Sequence, residues 1–218
     1  MDAPAAARIM TPHLVQRDFL SGGEQAALLD WALGNEARFA PAGVGGVGVN
    51  GAVRRSVSLR DLGPLAAVLK ARLKDRAAGF VETLQEAPFA VSYVELELAA
   101  HNDGAFYSRH RDTSSGDDQA GHGHRVLSGV YYFHREPKGF SGGCLRLHAI
   151  RALAGDAPGD DGALDVGAVD VAPDQNTLVV FPSWAPHEVM PVSCPSGAFA
   201  DSRFAVNCWL HLRRPAKG

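Results

Sequence analysis

Three triplets in the chain place a histidine two residues before a carboxylate: His101-Asn102-Asp103, His110-Arg111-Asp112 and His134-Arg135-Glu136. With 9 histidines and 24 acidic residues among 218, about one such triplet is expected by chance, so context must separate them. On a strand, residues i and i+2 point to the same face, so a His and an Asp at this spacing can grip one ion. A second imidazole from another strand would complete a two-His, one-carboxylate set. That set leaves adjacent positions open and suits a non-haem Fe(II) that binds a co-substrate and O₂ together. One carboxylate does not neutralise the ion, which still attracts an anionic chelator.

Asn102-Asp103-Gly104 favours a turn, and Pro137 stops the strand that carries His134. His110-Arg111-Asp112 instead follows Ala105-Phe106-Tyr107, an extended-looking run, and is the pair expected to bind. The partner is expected at His187, which opens a strand just after the turn Phe181-Pro182-Ser183-Trp184-Ala185-Pro186. Turns at the mouth of a barrel are where ligands collect. His122 and His124, in Gly121-His122-Gly123-His124, read as loop residues near the site. His13, His101, His134, His148 and His211 receive no role; an isolated histidine is more often a solvated or hydrogen-bonded imidazole.

Arg203 opens the last apolar run, Arg203-Phe204-Ala205-Val206-Asn207-Cys208-Trp209. Inside a barrel its charge must be paired, because a lone buried charge is very costly. The partner is either an Asp of the protein or a carboxylate of a small dicarboxylic acid, held bidentately. Tyr131 and Tyr132 point to opposite faces of one strand; the inward one either donates to that carboxylate or is simply a core aromatic.

The elements that must position these groups are legible as patterns. Ser21-Gly22-Gly23-Glu24 fits a capping box, followed by a helix with Leu28, Trp31 and Ala32 on one face that stops near Gly34. A second helix is predicted from Pro64, with the stripe Leu65, Val68, Leu69, Leu73, Phe80 and Leu84. Gly43, Gly45 and Gly48 match G-x-G-x-x-G, but no buried strand precedes them and a strand-like run, Val53 to Leu59, follows. A nucleotide site needs the opposite context, so a mobile loop over the site is expected instead. From residue 88 onward short strand-like runs dominate: Val94, Leu96 and Leu98 alternate with Glu95 and Glu97, and the runs 125–133, 144–150, 177–181, 187–192 and 204–212 follow. Many short strands without helices between them imply an antiparallel sandwich or jelly-roll barrel. The Gly- and Asp-rich stretch 154–168 reads as a surface insertion. The chain is expected to be one domain over 1–218, with 1–87 as helical support and 88–218 as the jelly-roll core.

Composition narrows the function. A net charge of −3 argues against a general nucleic-acid binder. No apolar run approaches the roughly 20 residues of a membrane span, and Met1-Asp2-Ala3-Pro4 shows no signal-peptide pattern. Cys144, Cys194 and Cys208 lack CxxC spacing, which disfavours a disulfide scaffold and points to a reducing cytoplasm.

Together these residues resemble a known family, the 2-oxoglutarate- and Fe(II)-dependent dioxygenases, and within it the prolyl-hydroxylase group, including the HIF-type enzymes. The resemblance runs from about residue 88 to the end. It rests on Gly104 to Asp112, Arg125 to Tyr132, Ser141-Gly142-Gly143-Cys144-Leu145-Arg146-Leu147, Pro186-His187-Glu188-Val189 and Arg203 to Trp209. It implies an α+β, mainly β, fold: a double-stranded β-helix (jelly-roll) barrel with supporting N-terminal helices. His110, Asp112 and His187 match the iron triad of the family. Arg203 matches the residue that holds the distal carboxylate of 2-oxoglutarate, and Tyr132 the tyrosine that shares it. Leu145, Asn207 and Trp209 match lining residues of that pocket, and Arg125 an arginine at the rim near the substrate. Two departures stand out. Arg203 lies 16 residues beyond His187, so 194–201 must loop out, and a tyrosine that some relatives carry ten residues before the first ligand is Ala100 here.

The resemblance implies an Fe(II) enzyme that consumes 2-oxoglutarate and O₂, releases succinate and CO₂ and hydroxylates a C–H bond, with ascorbate as an accessory reductant. The substrate expected is a prolyl residue in a protein or peptide. The alternatives are an oxygenase of the same type acting on a small metabolite, and a cupin-like metal-binding protein without oxygenase activity.

Overall fold

The computed structural model describes residues 7–44, 48–113, 124–152 and 167–212. In chain order, the first elements are β1 (Ala7–Ile9), β2 (Leu14–Arg17), α1 (Gly22–Gly34), β3 (Ala40–Pro41), β4 (Arg54–Arg55), β5 (Val57–Leu59) and α2 (Leu65–Leu84). There follow β6 (Val91–His101), β7 (Phe106–His110), β8 (His124–Phe133), β9 (Ser141–Gly142), β10 (Leu145–His148) and β11 (Ile150–Ala152). The last are β12 (Ala168–Val171), β13 (Thr177–Pro182), β14 (His187–Val189), β15 (Val192–Ser193) and β16 (Arg203–Leu212).

A seven-stranded sheet in the order β2-β13-β8-β16-β6-β5-β3 faces a five-stranded sheet in the order β12-β10-β14-β7-β4. Every described pairing is antiparallel. This is the jelly-roll arrangement predicted from the sequence. The period-two alternation of the long strands explains the layering. Val94, Leu96, Leu98, Ala100, Tyr131, Phe133, Leu178, Val180, Phe204, Val206, Cys208 and Leu210 form one core with both helices. The intervening residues point the other way: Tyr132, Val179, Phe181 and Ala205 meet Leu145 and Leu147 of the five-stranded sheet. The central strands are therefore covered on both faces, and Glu97 is buried although it alternates with leucines.

The helices form as predicted. Ser21 caps α1 reciprocally with Glu24: the Glu24 N–H donates to Ser21 Oγ, and the Ser21 N–H donates to Glu24 Oε2 at 2.8 Å. Pro64 is the N-cap of α2, and Leu69, Leu73, Phe80 and Leu84 are buried against the large sheet. Each such side chain contributes about 1.5–3 kcal/mol by leaving water. No described helix is long and apolar enough to cross a membrane. All three cysteines are free.

Two expectations change. The first 87 residues are less helical than predicted: the strand-like run 53–59 supplies β4 to the small sheet and β5 to the large one as expected, but β2 and β3 also join the large sheet. At two to four residues these strands are too short to show a period. His124 is not a loop residue: it opens β8, where pairing with Leu212 of β16 extends the strand. His122 and most of the 154–168 insertion lie outside the described residues, as does Gly45 of the glycine triplet. On either side of that gap the chain is β3 and β4 rather than a buried strand and a helix.

Candidate active site

His110 ends β7, Asp112 follows two residues later, and His187 opens β14 directly opposite His110 in the antiparallel register. Their ligating atoms all lie within 4.8 Å of one another. Asp112 Oδ1 is 3.8 Å from His110 Nε2, and Oδ2 is 3.7 Å from His187 Nε2. His110 Nδ1 sits 2.9 Å from the Ser108 carbonyl and His187 Nδ1 2.9 Å from the Ala185 carbonyl. A carbonyl only accepts, so each Nδ1 carries the proton and each Nε2 lone pair is turned toward Asp112. Burial, reinforced by the facing His187, holds His110 far below the usual imidazole range, at about 3, so it is neutral and ready to ligate. Burial alone would raise the Asp112 pKa, but the two imidazoles and a hydrogen bond from Ser128 bring it below the usual value. Ser128 Oγ donates to Asp112 Oδ2 at 2.6 Å and lies 2.8 Å from Ser183 Oγ, and the Asp112 N–H donates to the Ser183 carbonyl.

This cluster opens on a cavity of about 700 Å³ whose walls include Arg125, Leu145, Arg203, Asn207 and Trp209. Arg203 is 1% exposed. Its Nε donates to the Gly143 carbonyl at 2.7 Å, its Nη1 lies 3.3 Å from His101 Nδ1, and Nη2 has no partner among the described residues beyond the facing Tyr132. No carboxylate of the described residues pairs with it. Tyr132 is the inward tyrosine; its ring centroid lies 4.8 Å from the Arg203 guanidinium carbon and its hydroxyl is buried without a further partner among the described residues. Burial pushes that phenol up to about 12, so it is a donor. A buried guanidinium and a hydroxyl left unsatisfied side by side are costly unless an acceptor joins them. The donor set thus fits a carboxylate, and the His-Asp-His cluster fits a divalent ion.

Arg125 lines the cavity but is not a free rim cation. It donates to Glu95 at 2.9 Å and lies 4.0 Å over the Trp209 ring. Burial would raise the Glu95 pKa, but His211 and Arg125 overcome it and bring it to about 2. The 194–201 segment loops out as the spacing requires. It is pinned by the Cys194 N–H on Asp103 Oδ1, the Ser196 hydroxyl on Asp201 Oδ2, and the ring of Phe199 against Phe204.

Sequence reasoning missed Arg54, Glu97, His101, Tyr107, Ser128 and Ser183. Arg54 and Glu97 form a buried ion pair at 2.6 Å on the cavity wall, and Asn207 Nδ2 also donates to Glu97. Tyr107 stacks on His110 with centroids 3.6 Å apart. His101 and Ser128 were findable: each lies opposite a β16 residue of the cavity face, Arg203 and Trp209, once the strands are paired.

Residues 96–211 match the 2OG-Fe(II) oxygenase superfamily. Over 149 residues the chain is 38% identical to an uncharacterized PKHD-type hydroxylase, sll0191, of Synechocystis sp., a span covering 68% of this chain but only 46% of that relative. The chain is thus similar to about half of the relative's length. Its fold is similar to that of a Pseudomonas putida prolyl-4-hydroxylase (TM-score 0.64, 24% identity, 94% of each chain covered). It is also similar to a Trichoplax adhaerens prolyl hydroxylase in complex with a hypoxia inducible factor peptide fragment (TM-score 0.63, 17% identity, 92% and 84% covered). Family match, fold and His-Asp-His geometry agree: the chain belongs to the 2OG-Fe(II) oxygenase superfamily, whose members use Fe(II), 2-oxoglutarate and O₂.

Proposed function

We propose that this chain hydroxylates a prolyl residue in a protein or peptide, with His110, Asp112 and His187 as the iron ligands. Arg203 and Tyr132 hold the distal carboxylate of 2-oxoglutarate, and Leu145, Asn207 and Trp209 line its pocket. The observation that carries this reading is one cavity holding both the His-Asp-His cluster and a fully buried Arg203 that lacks a carboxylate partner among the described residues. The prolyl assignment is supported by the likeness to the two prolyl hydroxylases and to the PKHD-type relative.

When bound, the iron would activate O₂, the oxidant, while 2-oxoglutarate would give up two electrons as it is converted to succinate and CO₂. The chain's residues do the rest. The carbonyls of Ser108 and Ala185 fix the tautomers of both histidines, so no proton must leave an Nε2 for ligation. Ser128 and Ser183 hold the Asp112 carboxylate in place. Arg203, seated on Gly143 and stacked on Tyr132, fixes the end of the co-substrate away from the metal. Leu145, Val130 and Val189 on the cavity wall keep water from the reacting centre. The Arg125–Glu95 pair against Trp209 forms a rigid, polar wall for the substrate chain, in keeping with a substrate role for Arg125.

The test is succinate release from 2-oxoglutarate with added Fe(II) and a library of proline-containing peptides, followed by mass analysis of the peptides. Turnover that places one oxygen atom on a proline and is lost in Asp112→Ala supports the reading. Turnover with free proline or another metabolite but with no peptide would move the substrate to the small-molecule class. No succinate from wild type under any condition would overturn the activity.

A further inference from the structure

His101 ends β6 directly opposite Arg203 in the β6–β16 register, so both side chains lie on the cavity face. The imidazole is 3% exposed. Its Nδ1 is 3.3 Å from Arg203 Nη1. A guanidinium nitrogen can only donate, so Nδ1 must accept, and in a neutral ring the proton then sits on Nε2. Burial, together with the positive charges of Arg203 and Arg54, keeps the His101 pKa well below the ordinary value, so the ring is neutral and the tautomer is fixed. Nε2–H is therefore a buried donor, and it has no partner among the described residues. Arg203 Nη2 and the Tyr132 hydroxyl lie against each other, and neither reaches a further partner among the described residues. Donors of three side chains gathered around one guanidinium call for an acceptor with several lone pairs, and a carboxylate offers about four.

We propose that His101 is a third donor to the distal carboxylate of 2-oxoglutarate and thereby helps to select a dicarboxylic 2-oxo acid. This rests on the reading of Arg203 given above, and it assigns a role to a residue on the strand that precedes the first metal ligand. His101 has two separable jobs: Nδ1 steadies Arg203, and Nε2–H contacts the co-substrate. Asparagine can keep an acceptor near the Nδ1 position while removing the distal donor. Glutamine extends an amide to the Nε2 position and restores it.

The experiment is calorimetric titration of Mn(II)-loaded wild type, His101→Asn and His101→Gln with 2-oxoglutarate and, separately, with oxalate, which chelates the metal but has no distal carboxylate. The expected result is a loss of about tenfold in 2-oxoglutarate affinity for His101→Asn, a smaller loss for His101→Gln, and unchanged oxalate binding in both. Equal 2-oxoglutarate affinity in wild type and His101→Asn, or an equal loss for oxalate, would overturn the proposal. If wild type binds neither ligand, the metal-site reading itself fails; if it binds oxalate and not 2-oxoglutarate, the Arg203 reading fails. A second measurement needs no variant: in Zn(II)-loaded wild type, the ¹⁵Nε2–¹H resonance of His101 must move on adding 2-oxoglutarate and stay in place with oxalate. An Nε2 resonance that moves equally with both contradicts a contact to the distal carboxylate.

Discussion

Removing the hydroxyl of Ser128 probes how the carboxylate ligand is held. Ser128 Oγ donates to Asp112 Oδ2 at 2.6 Å, in a site where Ser128 is 1% exposed and water cannot replace it. Ser128→Ala deletes one oxygen atom, so the cavity left is smaller than a methyl group and folding should lose little. The charged partner loses more: a hydrogen bond to a buried carboxylate is worth about 1.5–3 kcal/mol. Converted at about 1.4 kcal/mol per decade, this is a loss of about 10–100-fold in metal affinity, the range found when outer partners of metal ligands are removed. Ser183→Ala should cost less, because its hydroxyl meets Ser128 while its backbone carbonyl, which accepts from the Asp112 N–H, survives the substitution. Anaerobic calorimetry with Fe(II), or with Mn(II) in air, reads both variants against thermal unfolding of the metal-free proteins. Metal affinity of Ser128→Ala within twofold of wild type, or Ser183→Ala as damaging as Ser128→Ala, would refute the idea that this hydroxyl positions Asp112.

Three other perturbations give distinct expectations. A Cβ on Gly143, at φ +67°, would stand 2.6 Å from Arg203 Cδ, so Gly143→Ala should unseat the guanidinium and weaken 2-oxoglutarate binding at least tenfold while sparing oxalate, as read by calorimetry. Arg54→Met leaves Glu97 buried without its ion-pair partner, at a cost of about 3–5 kcal/mol, which is about 10 °C in Tm for a chain of this size. The double variant Arg54→Met/Glu97→Met should recover most of that loss by differential scanning calorimetry. Hydrogen bonds from Arg72, and then from the backbone and hydroxyl of Ser21, lower the Glu24 pKa from 4.5 to about 2. Its folded-state value is depressed, so its stabilisation is full above the unfolded value and fades as pH falls from about 4.5 to about 2. Because the pair is partly exposed, the effect is about 1 kcal/mol, and Glu24→Gln should remove that part of the pH dependence of the urea midpoint.

The helices were readable because each carries a local signal: a capping box at Ser21 and Glu24, and a 3.6-residue stripe from Leu65 to Leu84. The metal cluster was readable because His110 and Asp112 are two residues apart and a Pro-containing turn precedes His187. What stayed hidden depends on strand pairing. His101 looks like the start of an Asn-Asp-Gly turn until β6 is set against β16, which places it opposite Arg203. Glu97 looks solvent-facing beside Leu96 and Leu98 until a second sheet covers its face. Ser128 is a small polar residue in an apolar strand, and its meaning comes from a carboxylate 16 residues away. Arg125 was legible as a residue of the site, but its pairing with Glu95 was not, because that contact joins two strands that are not sequence neighbours.

The central claim is that His110, Asp112 and His187 on one side, and Arg203 on the other, bind a single 2-oxoglutarate through a metal. The most direct measurement is an anaerobic titration of Fe(II)-loaded protein with 2-oxoglutarate, followed by the visible charge-transfer absorption of the complex. The structure predicts a band that saturates at one equivalent, vanishes in Asp112→Ala and needs far more 2-oxoglutarate in Arg203→Met. A wild-type protein that gives no band, or an Arg203→Met variant that saturates like wild type, would contradict the account.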